Sequence, residues 1–373
     1  MKDDFYRRPF GAFDEKYQSQ YTDDHYNDQK NDSYDPYVSP DEAATVKRSF
    51  SRIGLSVFLF FAVSAAVAIA AQILIELFFP ENADAILSSV YTTWVLNVVA
   101  MYVIAFPITY LMLKKLPCKT PVKANFGFDE LFLFFLIAEG VMMMGNLIGI
   151  SLNSAISSVL GKPIDNSVSD LIQGSPIWII VLVVVFIGPI VEEVIFRKLI
   201  IDRLMPFGAM TAVAVSSVAF GLFHGNLYQL FYATGLGFVL GYIYAKTGKL
   251  RYTVAIHMII NFLGSVVAIP LGKIMEEFII LTEALTAGES IDTSKFALYS
   301  NVVVSYTVIE YGMALAGIVI LVKKLGAHTL FLPSDGEIRI PKKRAVKLTV
   351  LNVGVVLFLL SSVAQIALSI FGI

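Results

Sequence analysis

The feature that most constrains this chain is a series of long apolar runs. They fall at about residues 53–79, 90–113, 128–156, 176–196, 208–225, 227–245, 252–270, 301–322 and 348–372. A stretch of about 18 or more residues with few charges is long enough to cross a hydrocarbon layer as a helix. The expected fold is therefore all-α, a polytopic transmembrane bundle of about eight or nine segments in a lipid bilayer. Composition supports this. Of 373 residues, 56% are hydrophobic and 16% charged, against about 45–50% and about 25% in soluble domains. A soluble oxidoreductase, a DNA-binding protein and a secreted disulfide scaffold are excluded. The single cysteine, Cys118, can form no internal disulfide, and a net charge of −2 offers no electrostatic steering.

Residues 1–49 are different. They hold 11 of the 30 acidic and 7 of the 28 basic residues, and show no apolar periodicity. A disordered, solvated tail is expected there. No apolar h-region follows a short basic start, so no signal peptide is read. The expected organisation is a polar cytoplasmic tail over 1–49 and a transmembrane domain over 50–373.

Basic and acidic connections alternate along the chain. Lys47, Arg48 and Arg52 precede the first run. Lys114, Lys115, Lys119 and Lys123 follow the second, and Arg197, Lys198 and Arg203 follow the fourth. Lys246, Lys249 and Arg251 follow the sixth. Further lysines lie between the last two, and the 80–84 and 271–300 stretches are acidic. Basic loops favour the cytoplasmic side, which predicts a cell-membrane protein with its N-terminus inside and its C-terminus outside. Gly188-Pro189 interrupts the fourth run, and proline removes a backbone donor, so a bent fourth segment is expected. Gly235-Leu-Gly237-Phe-Val-Leu-Gly241 follows no strand and lies among apolar residues. No nucleotide is expected there. The Gly237/Gly241 spacing instead lets helices approach closely. No nucleic-acid partner is expected either.

Three local patterns can carry chemistry. In Gly188-Pro-Ile-Val-Glu-Glu-Val-Ile-Phe-Arg197, two carboxylates and a guanidinium sit beside an apolar run. Intramembrane charge costs about 2.5–3.5 kcal/mol per central residue and usually marks function. Glu193 and Arg197 are four apart and share a helix face, so they can pair. Glu192 is turned about 100° away and is left for another task. Phe220-Gly-Leu-Phe-His224 and His257-Met-Ile-Ile-Asn261 each place two residues on one face. Each pattern alone also fits ordinary helix packing or a boundary anchor. Glu139 and Glu310 either line a cavity or pair across helices, and pairing is the simpler expectation.

Together the three patterns resemble the motifs EExxxR, FxxxH and HxxxN of the CPBP family of intramembrane proteases. That family is also called the Abi or CAAX protease family and is related to the Rce1-like prenyl-protein proteases. The resemblance covers about residues 175–270, which would be the catalytic core. It implies hydrolysis of a peptide bond in a membrane-associated protein or peptide. Glu192 and His224 would hold and activate water, and His257 and Asn261 would bind the oxyanion. Glu193 and Arg197 would be supporting. Relatives have been described as metalloproteases and as glutamate-dependent enzymes. A zinc held by Glu192, His224 and His257 therefore stands beside a metal-free Glu/His mechanism, which is the preferred expectation. No HExxH helix is present. Two alternatives are a non-catalytic membrane scaffold on the same fold and, less favoured, a proton-coupled transporter.

The loop assignments place Glu192 and His257 near cytoplasmic ends and His224 near the opposite end of its segment. A shared site then requires a short or tilted fifth segment, or a bend at Gly188-Pro189.

Overall fold

The computed structural model describes residues 40–334, 336–338, 340 and 344–372. These residues are helical with short connections, and no strand occurs among them. The long helices are α1 (Pro40–Phe78), α2 (Val90–Leu113), α3 (Phe128–Leu160), α4 (Ile177–Phe207) and α5 (Ala209–Phe223), followed by α6 (Leu227–Thr247), α7 (Leu250–Thr286), α8 (Thr293–Gly326) and α9 (Val353–Phe371). Seven helices among the described residues are long and apolar enough to cross a membrane. The exceptions are α5, with 15 residues, and α6. The chain is a multi-pass membrane protein built as an all-α bundle.

The core explains the order of packing. Helix α6 lies between α3 and α5, α8 lies against α3, and α9 runs along α1. Small residues allow these approaches. A Cβ on Gly237 would meet the Ser217 Cα at 2.9 Å, and one on Gly241 would meet the Val213 Cγ1 at 3.0 Å. The Gly237/Gly241 spacing is thus a helix contact. At the α1–α9 crossing, a Cβ on Gly54 would lie 2.5 Å from the Val355 amide nitrogen. A Cβ on Gly354 would collide with the Ser51 carbonyl. Backbone cannot retreat as a flexible side chain can. Gly354→Ala should therefore cost about 1–3 kcal/mol and lower the thermal unfolding midpoint in detergent. A midpoint equal to that of the wild type would contradict this packing.

Several expected boundaries move. Residues 1–39 of the expected tail lie outside the described residues. Residues 40–49, assigned to that tail, begin α1 instead, with Val46 and Ser49 buried. The apolar pattern there is short, and packing rather than hydropathy fixes the helix start.

Helix α4 does not end near 196. It continues through Arg197, Lys198 and Arg203 to Phe207, so these residues are helical and not part of a basic loop. Each charge is satisfied locally. Lys198 Nζ is 2.7 Å from Asp202 Oδ2. Arg203 Nε donates to the Leu113 carbonyl at 2.6 Å, and its Nη1 donates to the Lys198 and Leu199 carbonyls at 3.2 Å.

Likewise, most of the acidic 271–300 stretch is helical, because α7 runs to Thr286 and α8 begins at Thr293. Glu277 pairs with Lys295 at 2.5 Å across that hairpin and accepts from the Tyr299 hydroxyl at 3.0 Å.

Gly188-Pro189 does not break α4 either. The chain keeps right-handed helical dihedrals there, with Gly188 at φ −53°, ψ −60°. Residues Ile180–Ile187 form wider π-helical turns immediately before the proline. A widened register can absorb the missing donor and ring bulk without a break.

Candidate active site

The middle of α4 carries the three charged residues of the first motif. Glu193 and Arg197 stand one turn apart and are both 0% exposed. Arg197 Nε donates to Glu193 Oε2 at 3.0 Å and Nη2 donates to Oε1 at 3.2 Å. Two parallel bonds of this kind fix both groups in orientation. Arg197 Nη1 also donates to Ser216 Oγ on α5 at 3.3 Å, and its guanidinium lies 5.1 Å from the centre of the Phe220 ring. The pair therefore ties α4 to α5. It reaches α7 as well, because His257 Nδ1 lies 3.1 Å from Glu193 Oε1. Glu193 is ionised against Arg197, so the shared hydrogen belongs to His257 Nδ1.

Glu192 points elsewhere. Its side chain is 17% exposed and makes no hydrogen bond to the described residues. It lines a cavity of about 690 Å³. His224, His257 and Asn261 line the same cavity. His224 caps the C-terminus of α5, and its Nδ1 is 2.8 Å from the Phe220 carbonyl. That carbonyl can only accept, so Nδ1 carries the hydrogen, and in the neutral ring Nε2 keeps its lone pair.

The next residue, Gly225, has φ +64°, a backbone position that glycine adopts without cost. A Cβ there would lie 2.8 Å from Gln365 Oε1 on α9. The turn that holds His224 is thus braced by the last helix. Phe220 is the central packing ring. His224 and His257 meet it edge-on at centroid distances of 5.0 and 5.7 Å. Asn261 Nδ2 donates to the Val184 carbonyl on α4 at 2.9 Å.

The shared cavity has a direct cause. At about 1.5 Å rise per residue, α5 is only about 22 Å long, short of an apolar layer about 30 Å thick. His224 at its end therefore stays at depth. Because α4 continues beyond 196, Glu192 lies at the middle of that helix and not at its end. The short fifth helix, and not a bend at Gly188-Pro189, brings these residues together.

The resemblance to metalloproteases calls for a test of the donor set. Each histidine has Nδ1 tied down and Nε2 facing inward, the orientation found around metal ligands. Yet among the described residues no three His, Cys, Asp or Glu side chains converge closely enough to hold a metal ion. His257 Nε2 lies 3.7 Å from Glu192 Oε2. As placed, Glu192, His224 and His257 do not form a zinc site.

The cavity also has walls that no motif marks. Tyr102 of α2, Glu139 of α3, Tyr232 of α6, and Tyr306 and Glu310 of α8 line it. Glu139 and Glu310 both line this cavity. Isolated polar residues on apolar helices were the only sequence signal for them.

Residues 174–263 match the model of the family described as type II CAAX prenyl endopeptidase Rce1-like. The Bacillus subtilis (strain 168) protein named "Putative membrane peptidase YdiL" is 36% identical over 105 residues. That alignment covers 27% of this chain and spans 42% of the relative's length. No solved structure matches the chain. The matched segment contains all three motifs, in agreement with the CPBP resemblance.

Proposed function

We propose that this membrane protein, whose central segment is of the Rce1-like type, is an intramembrane endopeptidase. It would hydrolyse a peptide bond in a membrane-associated protein or peptide. The observation that carries this reading is the meeting of three functional groups in one cavity. The Glu192 carboxylate and the inward Nε2 atoms of His224 and His257 all lack a hydrogen-bond partner among the described residues.

Water held between Glu192 and His224 Nε2 would lose a proton to the Glu192 carboxylate as its oxygen attacks the carbonyl carbon. The carbonyl oxygen becomes an oxyanion. The second amide hydrogen of Asn261 faces that charge. His257 Nε2 can donate only as the imidazolium, because its Nδ1 hydrogen is already given to Glu193. Glu192 then passes its proton to the leaving nitrogen as the C–N bond breaks, which closes the proton balance. Glu193 and Arg197 hold His257 in place and touch no substrate.

His224→Ala and His257→Ala should each lower cleavage by about 10²–10⁴-fold while the protein still inserts and elutes as a single species. The assay is cleavage of a peptide library from a digested membrane proteome by the purified protein in nanodiscs, read by mass spectrometry. Two variants that cleave as fast as the wild type would sink this assignment of the site, and a wild type that cleaves nothing would favour a non-catalytic scaffold. The N-terminus-inside orientation belongs to the same proposal, and labelling of the exposed Cys118 from one side of sealed vesicles tests it. Cytoplasmic reactivity is expected.

A further inference from the structure

The arrangement leaves the oxyanion short of donors. One amide hydrogen of Asn261 is spent on the Val184 carbonyl, and the Nδ1 hydrogen of His257 is spent on Glu193. A tetrahedral oxygen in a site with little water needs hydrogen bonds aimed at it in advance.

The Tyr102 hydroxyl is available. It lines the cavity with Glu192, His224, His257 and Asn261, and it has no hydrogen-bond partner among the described residues. Its position follows from Gly188. A Cβ on that residue would lie 3.3 Å from the Tyr102 hydroxyl oxygen, 3.8 Å from Glu192 Oε1 and 3.2 Å from the Val183 carbonyl. The missing side chain therefore leaves a notch bordered by both the phenol and the carboxylate. The Tyr102 ring packs in the cluster that contains Val183 and Val184, and Asn261 is tethered to the Val184 carbonyl. Tyr102 and Asn261 thus flank the same turn of α4, on the side of Glu192.

The backbone supports this placement. Among the described residues, π-helical turns occur at Val98–Ala105, Ile180–Ile187, Val194–Ile201 and Phe262–Val267. Such turns re-aim side chains and are frequent at functional sites. The second and fourth contribute cavity walls, and the third carries Arg197. The first carries Tyr102. It lies in α2, outside residues 174–263 and outside every motif.

We propose that Tyr102 is a further catalytic residue, whose phenol O–H donates to the reacting carbonyl oxygen as that oxygen becomes an oxyanion. The inference rests on the endopeptidase reading above. Tyr102→Phe removes one oxygen and keeps the packed ring. The wild type, Glu192→Gln and Tyr102→Phe are compared in nanodiscs on one peptide selected from the cleaved library. The expected result is a kcat reduced by about 10²–10³-fold in Tyr102→Phe, with KM little changed. If the wild type cleaves, Glu192→Gln is inactive and Tyr102→Phe keeps a near wild-type kcat, the role of Tyr102 is overturned and the endopeptidase reading stands. If the wild type cleaves nothing, or Glu192→Gln remains active, the endopeptidase reading fails and the role of Tyr102 fails with it.

Discussion

Glu192→Gln should abolish cleavage while leaving the bundle intact. The change replaces one oxygen by an amide nitrogen of nearly equal size and removes the only carboxylate of the motif pair that faces the cavity. Glu192 makes no hydrogen bond to the described residues, and its one close basic contact, His257 Nε2, is 3.7 Å away. Little stability depends on it, so the thermal midpoint should stay near that of the wild type. A neutral amide cannot take a proton from water, and general-base assistance contributes about 10²–10⁴-fold. The measurement is the rate on the selected peptide in nanodiscs, beside a melting curve of the same preparation. The variant also serves as a trap. Peptides bound but not cut should be enriched on it in native membranes and identifiable by mass spectrometry. A proton-coupled transporter would instead show substrate flux in liposomes and no new peptide termini.

The second large effect concerns the neighbouring carboxylate. Arg197→Met should destabilise the protein by about 3–5 kcal/mol, the cost of leaving a buried charge without its partner. Glu193 is 0% exposed, and both of its oxygens accept from the guanidinium. The double change Glu193→Leu with Arg197→Met removes both charges. It should recover much of the lost stability, because buried ion pairs can often be replaced by apolar groups of similar volume. It should not recover cleavage, because His257 loses the acceptor that holds its Nδ1 hydrogen. Melting curves and rates on the four proteins of this cycle separate the two roles. A double variant that regained activity would show that Glu193 does not position His257.

The local part of the site could be read from the chain alone. Residues four apart on a helix must share a face, so the Glu193–Arg197 pair and the separate direction of Glu192 follow from the repeat. The nine apolar runs likewise mark the nine long helices found among the described residues. What could not be read is how far each helix extends and what faces it. Arg197, Lys198 and Arg203 look like loop charges because a one-dimensional pattern counts charge without its partners. Packing supplies Glu193, Asp202 and the Leu113 carbonyl, and α4 then continues to Phe207.

The sequence by itself determined the class of molecule and the short-range geometry, because hydropathy over a run and the helical repeat are local properties. The tertiary structure decided everything that depends on distant residues. It decided that a short α5 holds His224 at the depth of Glu192. It tied the Nδ1 of each histidine, to Phe220 and to Glu193, and so turned both Nε2 atoms inward. It also brought Tyr102, Glu139 and Glu310 from α2, α3 and α8 into the cavity wall. The physical reason is that cavity walls and hydrogen-bond acceptors are set by helix crossings. Those depend on backbone approaches such as Gly54 against Val355 and on π-helical turns, and neither leaves a periodic trace in the chain.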